Sequence, residues 1–245
     1  MIIAWLAFFD SLLAVAMLGA GVVGAHWRWV TPILGLSIFL LGTLVGIFAL
    51  LLGLLGIFLT RTPARAPARP RAVIGTVIGA LTILPVLLII LTSPKVPAIN
   101  DITTDFDNPP EFTNAQQLNA NRGRDMKYDK AKYADRQLQG YGALAPLKMT
   151  QSPDDAFKMV QQTAAQRPTW TITVTDPATH TIEGYATSNL FHFNDDFIIV
   201  VRPGEGTGSL IEMRSKSRDG IGDQGVNHKR IMDFFAAVSP GSSGS

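Results

Sequence analysis

Residues 169–215, TWTITVTDPATHTIEGYATSNLFHFNDDFIIVVRPGEGTGSLIEMRS, decide the fold class. TWTITVT (169–175) sets Trp170, Ile172 and Val174 against four threonines, the two-residue period of a strand with one buried face. DPATH turns the chain, and TIEGYAT (181–187) alternates again, with Ile182, Gly184 and Ala186 on the apolar side. DDFIIVVR (195–202) is apolar without a break and reads as a central strand. PGEGTG makes another turn before SLIEMRS (209–215). Connections this short join neighbours running in opposite directions, so the stretch predicts a four-stranded antiparallel meander.

Helices flank it. In SPDDAFKMVQQTAAQ (152–166), Ser152 caps, Pro153 takes the first turn, and Asp154 and Asp155 meet the positive end of the helix dipole. Ala156, Phe157, Val160 and Ala164 give it an apolar stripe. Asp223 is placed to cap QGVNHKRIMDFFAAV, with Val226, Ile231, Phe234, Phe235 and Val238 expected to face inward. The order α-β-β-β-β-α predicts a two-layer α+β domain over 152–239, with helices on one sheet face and the threonine-rich face open. Ahead of it, 93–151 reads as a linker and wrapping segment. SPKVPAIN is punctuated by proline, and 113–149 shows little periodicity but carries Tyr128, Tyr133, Tyr141, Leu144 and Leu147 as anchors. A stretch of that length either wraps a surface or includes a short helix. Residues 240–245 read as a flexible tail.

The first 92 residues are of another kind. Runs at 1–25, 30–60 and 72–92 are each long and apolar enough for a helix to cross a bilayer core, giving a three-helix membrane domain over 1–92. The first lacks the basic start of a cleaved signal peptide and is read as retained. RTPARAPARPR, between the second and third runs, carries Arg61, Arg65, Arg69 and Arg71, whereas GAHWRW, between the first two, carries only Arg28. Basic loops stay on the cytoplasmic side, so the N-terminus is expected inside and everything after Thr92 outside, in the periplasm of a bacterium with an inner membrane. Gly35, Gly42, Gly46 and Gly53 on the second span, and Gly75 and Gly79 on the third, let helix backbones approach closely, within one chain or between copies. Asp10 is the one carboxylate inside an apolar run, where a proton or ion path would show several.

Charge divides with hydropathy. Up to Thr92 there are five Lys/Arg and one acid; from Ser93 onward there are 16 Lys/Arg and 18 acids. The outer domain is thus net acidic, which argues against nucleic acid as a partner. The absence of cysteine excludes disulfides, thiolate metal sites and a cysteine nucleophile.

The densest polar stretch is RSKSRDGIGDQGVNHKR (214–230). Arg214 and Ser215 end a strand, Ser217 and Arg218 enter a glycine-bearing loop, and Asp223, Asn227 and Arg230 sit at the next helix. Two readings compete. Free N–H groups at the helix start, with Arg218, Lys229 and Arg230 near, would hold an anion; or the arginines pair across the sheet with Glu183, Asp195 or Asp196, as buried charges must. The structural reading is preferred, and Arg202 is grouped with this cluster. NDITTDFDNPPE (100–111) supplies Asp101, Thr103, Thr104, Asp105, Asp107, Asn108, Pro109, Pro110 and Glu111. Pro109 falls where a calcium loop needs glycine, so a rigid Asx/Pro turn is expected and no metal or cofactor. His180, His192 and His228 are dispersed, and adjacent Asp195 and Asp196 point to opposite faces of a strand, so neither set makes a catalytic pair.

NDITTDFDNPP, IEGYATSNLFHFNDDFIIVVR and MRSKSRDGIGDQGVNHKRI together resemble the domain-of-unknown-function family 1499, and more narrowly its membrane-anchored proteobacterial branch. The resemblance spans about residues 99–238 and implies a fold and a location, with no established activity. Other branches carry a cysteine-containing segment where this chain has TTDFDNPPE, so no role of those cysteines transfers. The expectation is an inner-membrane protein whose periplasmic domain binds the envelope, another membrane protein or a second copy. The alternatives are a lipid or small-molecule site between the open sheet face and residues 113–149, and, third, a hydrolase-type enzyme.

Overall fold

The computed structural model describes residues 1–142 and 144–239; the expected tail at 240–245 lies outside the described residues. The chain divides into two compact units. One is Met1–Ser93 with Asn189–His192; the other is Pro94–Ser188 with the chain from Phe193 onward.

The first unit is built on three helices, α1 (Ile2–His26), α2 (Pro32–Leu59) and α3 (Arg69–Thr92), each long and apolar enough to cross a membrane. Leucine and isoleucine cover their outer surfaces while glycine, alanine and threonine are buried between them. In a lipid environment helix association depends on close packing, and small residues allow it. The expected glycine stripe of α2 splits between two neighbours within this chain. Gly35 and Gly42 lie against α1, where a Cβ on Gly35 would come within 2.6 Å of Gly21 O. Gly46 and Gly53 lie against α3, at Thr82 and Thr76. In return, Gly75 meets the backbone of Ala7 and Gly79 that of Gly46 and Leu50. Thr43, Thr60, Thr76 and Thr82 turn their hydroxyls back onto carbonyls of their own helices, leaving no polar group unsatisfied at these positions. Between α2 and α3, Pro63–Ala68 forms a 3-10 turn. Arg61 stacks over Phe58 at 4.8 Å and Arg71 over Trp5 at 4.1 Å.

Among the described residues, the second unit is a six-stranded antiparallel sheet with three α-helices, an α+β fold. The four expected strands are present as β3 (Trp170–Asp176), β4 (Thr181–Thr187), β5 (Asn194–Pro203) and β6 (Ser209–Ser217), paired in chain order. Two short strands not expected from the sequence, β1 (Asp101–Thr103) and β2 (Leu147–Met149), come from 93–151, the segment read as a linker and wrap. Both pair with β6, one beyond the other along its outer side. The same segment contributes α4 (Lys130–Tyr141), capped by Asp129. Helices α5 (Pro153–Ala165) and α6 (Val226–Val238) complete the unit, and Ser152 accepts from Asp155 N as its spacing predicts.

The core lies between the sheet and the helices. Phe157, Val160, Ile231, Phe234 and Val238 pack onto Ile182, Phe197, Ile199, Val201, Ile211 and Met213. Val226, expected inward, is 49% exposed: Gly225 with φ +86° precedes the helix, and the buried face of the first turn falls to Asn227 instead. The second sheet face is not open along its length. Phe112, Ala115 and Met126 cover Ile198 and Val200, so 104–129 forms a third layer over β5 and β6. The β3 side is barer, with Thr171, Thr173 and Thr175 exposed, and the register shift between Ile172 and Val174 changes which residues share a face. Val174, expected beside Trp170 and Ile172, pairs with Glu183 on the wrapped face, and Thr175 pairs with Ile182 on the helix-covered one. Where the layer ends, Glu111 and Thr113 border a groove of about 320 Å³ floored by Val174, Ile198 and Val200.

Candidate functional site

The charged residues singled out in the sequence fall into two clusters, because successive residues of β5 and β6 face opposite ways. On the helix-covered face stand Asp195, Ser215 and Ser217. Asp195 accepts from Arg230 Nη2 at 2.6 Å, and Arg230 Nη1 donates to Ser215 Oγ at 2.8 Å and to Asn227 Oδ1. Asn227 is fully buried; its Nδ2 donates to Ser217 Oγ at 2.9 Å and its Oδ1 accepts from Ser215 Oγ at 2.7 Å. Asp223 receives Gly225 N and Asn227 N at 2.9 and 2.8 Å. The helix start read as a possible anion site is therefore closed by a carboxylate of the chain itself.

On the wrapped face, Arg214 is completely buried. The sequence pairs it with Asp195, Asp196 or Glu183; the structure pairs it with Asp101, Nε and Nη2 reaching the two carboxylate oxygens at 2.9 and 2.8 Å. Arg214 also donates to Pro110 O and Met126 O and lies between the rings of Phe112 and Tyr128. Lys216, not singled out in the sequence, adds a second cation to Asp101 at 2.7 Å. Asp196 receives Arg218 through Nε at 3.0 Å and Nη2 at 2.6 Å, with Asn121 Nδ2 at 2.9 Å and Arg124 at 3.5 Å. The Arg218 guanidinium lies 4.7 Å above the Tyr185 ring. Glu183 takes no arginine. Its carboxylate accepts the N–H groups of Thr113, Asn114 and Ala115 and the Thr113 hydroxyl at 2.6 Å, capping the 3-10 turn Ala115–Gln117. Arg202 lies apart, bonded to Glu212 at 2.8 Å and half-exposed.

The 100–111 motif starts the wrap. Thr103 N and O bond to the Gln137 side chain at 3.1 and 2.7 Å, so one amide of α4 stands where a neighbouring strand would. Thr104 pairs with Met213 through backbone and hydroxyl. Asp105 Oδ1 accepts from Asp107 N and Asn108 N at 2.8 and 2.9 Å, an Asx turn that Pro109 and Pro110 follow. Asp101 is held by Arg214 and Lys216, so it is not offered to a cation. Among the described residues no group of three or more His, Asp or Glu is placed to hold a metal ion.

A family profile described as a protein of unknown function, DUF1499, matches residues 101–238. The chain belongs to this family. No curated protein and no solved structure matches the chain. The DUF1499 segment begins on Asp101, the carboxylate that holds Arg214, and ends on Val238, the last residue of α6. It thus takes in the wrap as well as the meander.

One further cluster in the DUF1499 domain was not foreseen. Tyr141 stacks on His228 with ring centroids 4.6 Å apart, and its hydroxyl lies 3.7 Å from where a Cβ on Gly225 would stand. Burial, with the Asp223 carboxylate near, pushes the Tyr141 phenol up to about 12. Burial lowers His228 below its ordinary value, against a smaller opposing pull from Asp223. Asn121, Arg124, Lys216 and Gln137 were likewise missed. Three of them lie where the sequence has no period, and their partners are about 34 to 93 residues away.

Proposed function

We propose that this chain is a bacterial inner-membrane protein with a cytoplasmic N-terminus, and that its DUF1499 domain is a periplasmic interaction module that engages an envelope component, another membrane protein or a second copy. What carries the reading is the way the charged residues of the family segment are used. Asp101, Asp195, Asp196, Glu183, Arg214, Arg218 and Arg230 spend their hydrogen bonds on one another, on neighbouring polar side chains such as Lys216, Asn121, Ser215 and Asn227, and on the backbone of the wrap. Buried charges so paired fix an arrangement of layers and are not presented to a substrate. They hold a rigid scaffold whose outer surfaces are left for recognition. The four arginines of 61–71 support the orientation. A reporter enzyme that is active only in the periplasm, fused after Ser239, is expected to be active. An inactive fusion, with a cytoplasm-restricted reporter active at the same position, would contradict the placement.

A further inference from the structure

The two sides of the sheet end differently. On the β6 side, β1 and β2 cover the strand, and the Gln137 amide occupies the backbone N–H and C=O of Thr103. On the other side β3 is terminal: it pairs with β4, and among the described residues no strand lies beyond it. Alternate residues of such a strand direct N–H and C=O groups outward, a template for another chain; here the Trp170 N–H is already taken by Arg167 O at 3.1 Å, which leaves the template to the residues after it. Edge strands are commonly protected by charge, proline or a short length. The strand runs seven residues, Trp170–Asp176, with no proline, one charge at its last residue, Asp176, and one irregularity between Ile172 and Val174.

A groove of about 280 Å³ lies at the N-terminal end of this edge, on the helix-covered side. Trp170 and Val226 give it apolar surface, and Arg167, Lys229 and Arg230 line it against one carboxylate, Asp233. Trp170 is held by Phe197 at 4.1 Å and Phe234 at 5.2 Å, so the groove has a fixed wall. Asp233 is bonded to Lys229 at 2.6 Å, and its carbonyl accepts from Arg167 at 2.7 Å. Arg230 is already balanced by Asp195, so the surplus positive charge of the lining rests on Arg167 and Lys229 against Asp233, although the domain as a whole is acidic.

Resting on the interaction reading above, we propose that the free edge of β3 takes an extended, acidic polypeptide segment as an added strand. Main-chain hydrogen bonds to β3 supply the attachment. A Glu or Asp side chain of the segment lies over Trp170 beside Arg167 and Lys229 and selects for acidic partners.

The test uses the full chain in detergent and two synthetic probes, the extended peptide Thr-Val-Thr-Glu-Val-Thr-Val-Thr and the same peptide with Lys in place of Glu. Amide hydrogen exchange is followed across the whole sequence. The acidic peptide is expected to slow exchange over 170–176, and the lysine peptide to require at least about tenfold more for the same protection. Lys229→Glu and Arg167→Glu, both surface changes, are expected to erase or invert that preference. Equal protection by both peptides overturns the proposal. So does unchanged exchange over 170–176 at millimolar peptide, or protection without peptide that grows with protein concentration, which marks self-pairing. A partner protein that co-purifies while β3 stays unprotected removes this site and leaves the interaction reading standing.

Discussion

Arg214 shows what a buried charge demands. Its guanidinium is fully buried and meets carboxylate, carbonyl and aromatic partners. His228, stacked on Tyr141, makes the opposite choice, since burial favours its neutral form. With its folded pKa below the ordinary 6.5, it stabilises the domain above that value, and the contribution is lost as pH falls through the lowered one. Tyr141, raised to about 12, acts at the other end: its contribution holds below 10 and fades as pH rises through 12. Melting temperatures at pH 7.5 and 5 are therefore expected to differ less in His228→Phe, which keeps an aromatic stack without the titration, than in the wild-type chain. An equal acid-induced drop in both would remove His228 from the account.

At the level of elements, the sequence was legible where periodicity is strong. The meander, α5 and α6 follow from alternation, capping and turn residues, and their bounds shift by only a residue or two. Strands β1 and β2 were not legible, because three residues carry no period and both depend on β6 for their existence. The site was half legible. Local signals picked out Arg214, Arg218 and Asp196 as charges on strands and their loop that need partners once buried. Their partners Asp101, Asn121 and Arg124 are set by the path of the wrap, to which no short motif points. The glycine stripe could be read as close packing, but which helix each glycine meets is a property of three helices together. Gly79 tests this packing: a Cβ there would meet Gly46 O and Leu50 N at 2.7 Å, atoms of a backbone that cannot step aside. Gly79→Leu is expected to lower the melting temperature of the helical unit in detergent, whereas Gly19→Leu, with nothing within 4 Å of the added Cβ, is expected to leave it unchanged. Equal effects at the two positions would contradict the assigned contacts.

For the whole molecule, the division of labour follows the division of composition. An apolar unit packs through small residues, and a polar unit closes three layers with buried ion pairs. The stretch 214–230, read from the sequence by preference as an internal network, supplies Arg214, Arg218 and Arg230, whose ion pairs join those layers. Asp196 is the most direct probe of that claim, since its fully buried carboxylate joins β5 to Arg218 of the loop and to Asn121 and Arg124 of the wrap. The deciding measurement is the unfolding of the full chain in detergent, wild type against Asp196→Ala. The account predicts a loss of about 3–5 kcal/mol, as for a buried pair deprived of one partner. Unchanged stability, accompanied by loss of an anion or partner that the wild-type chain retains, would contradict it.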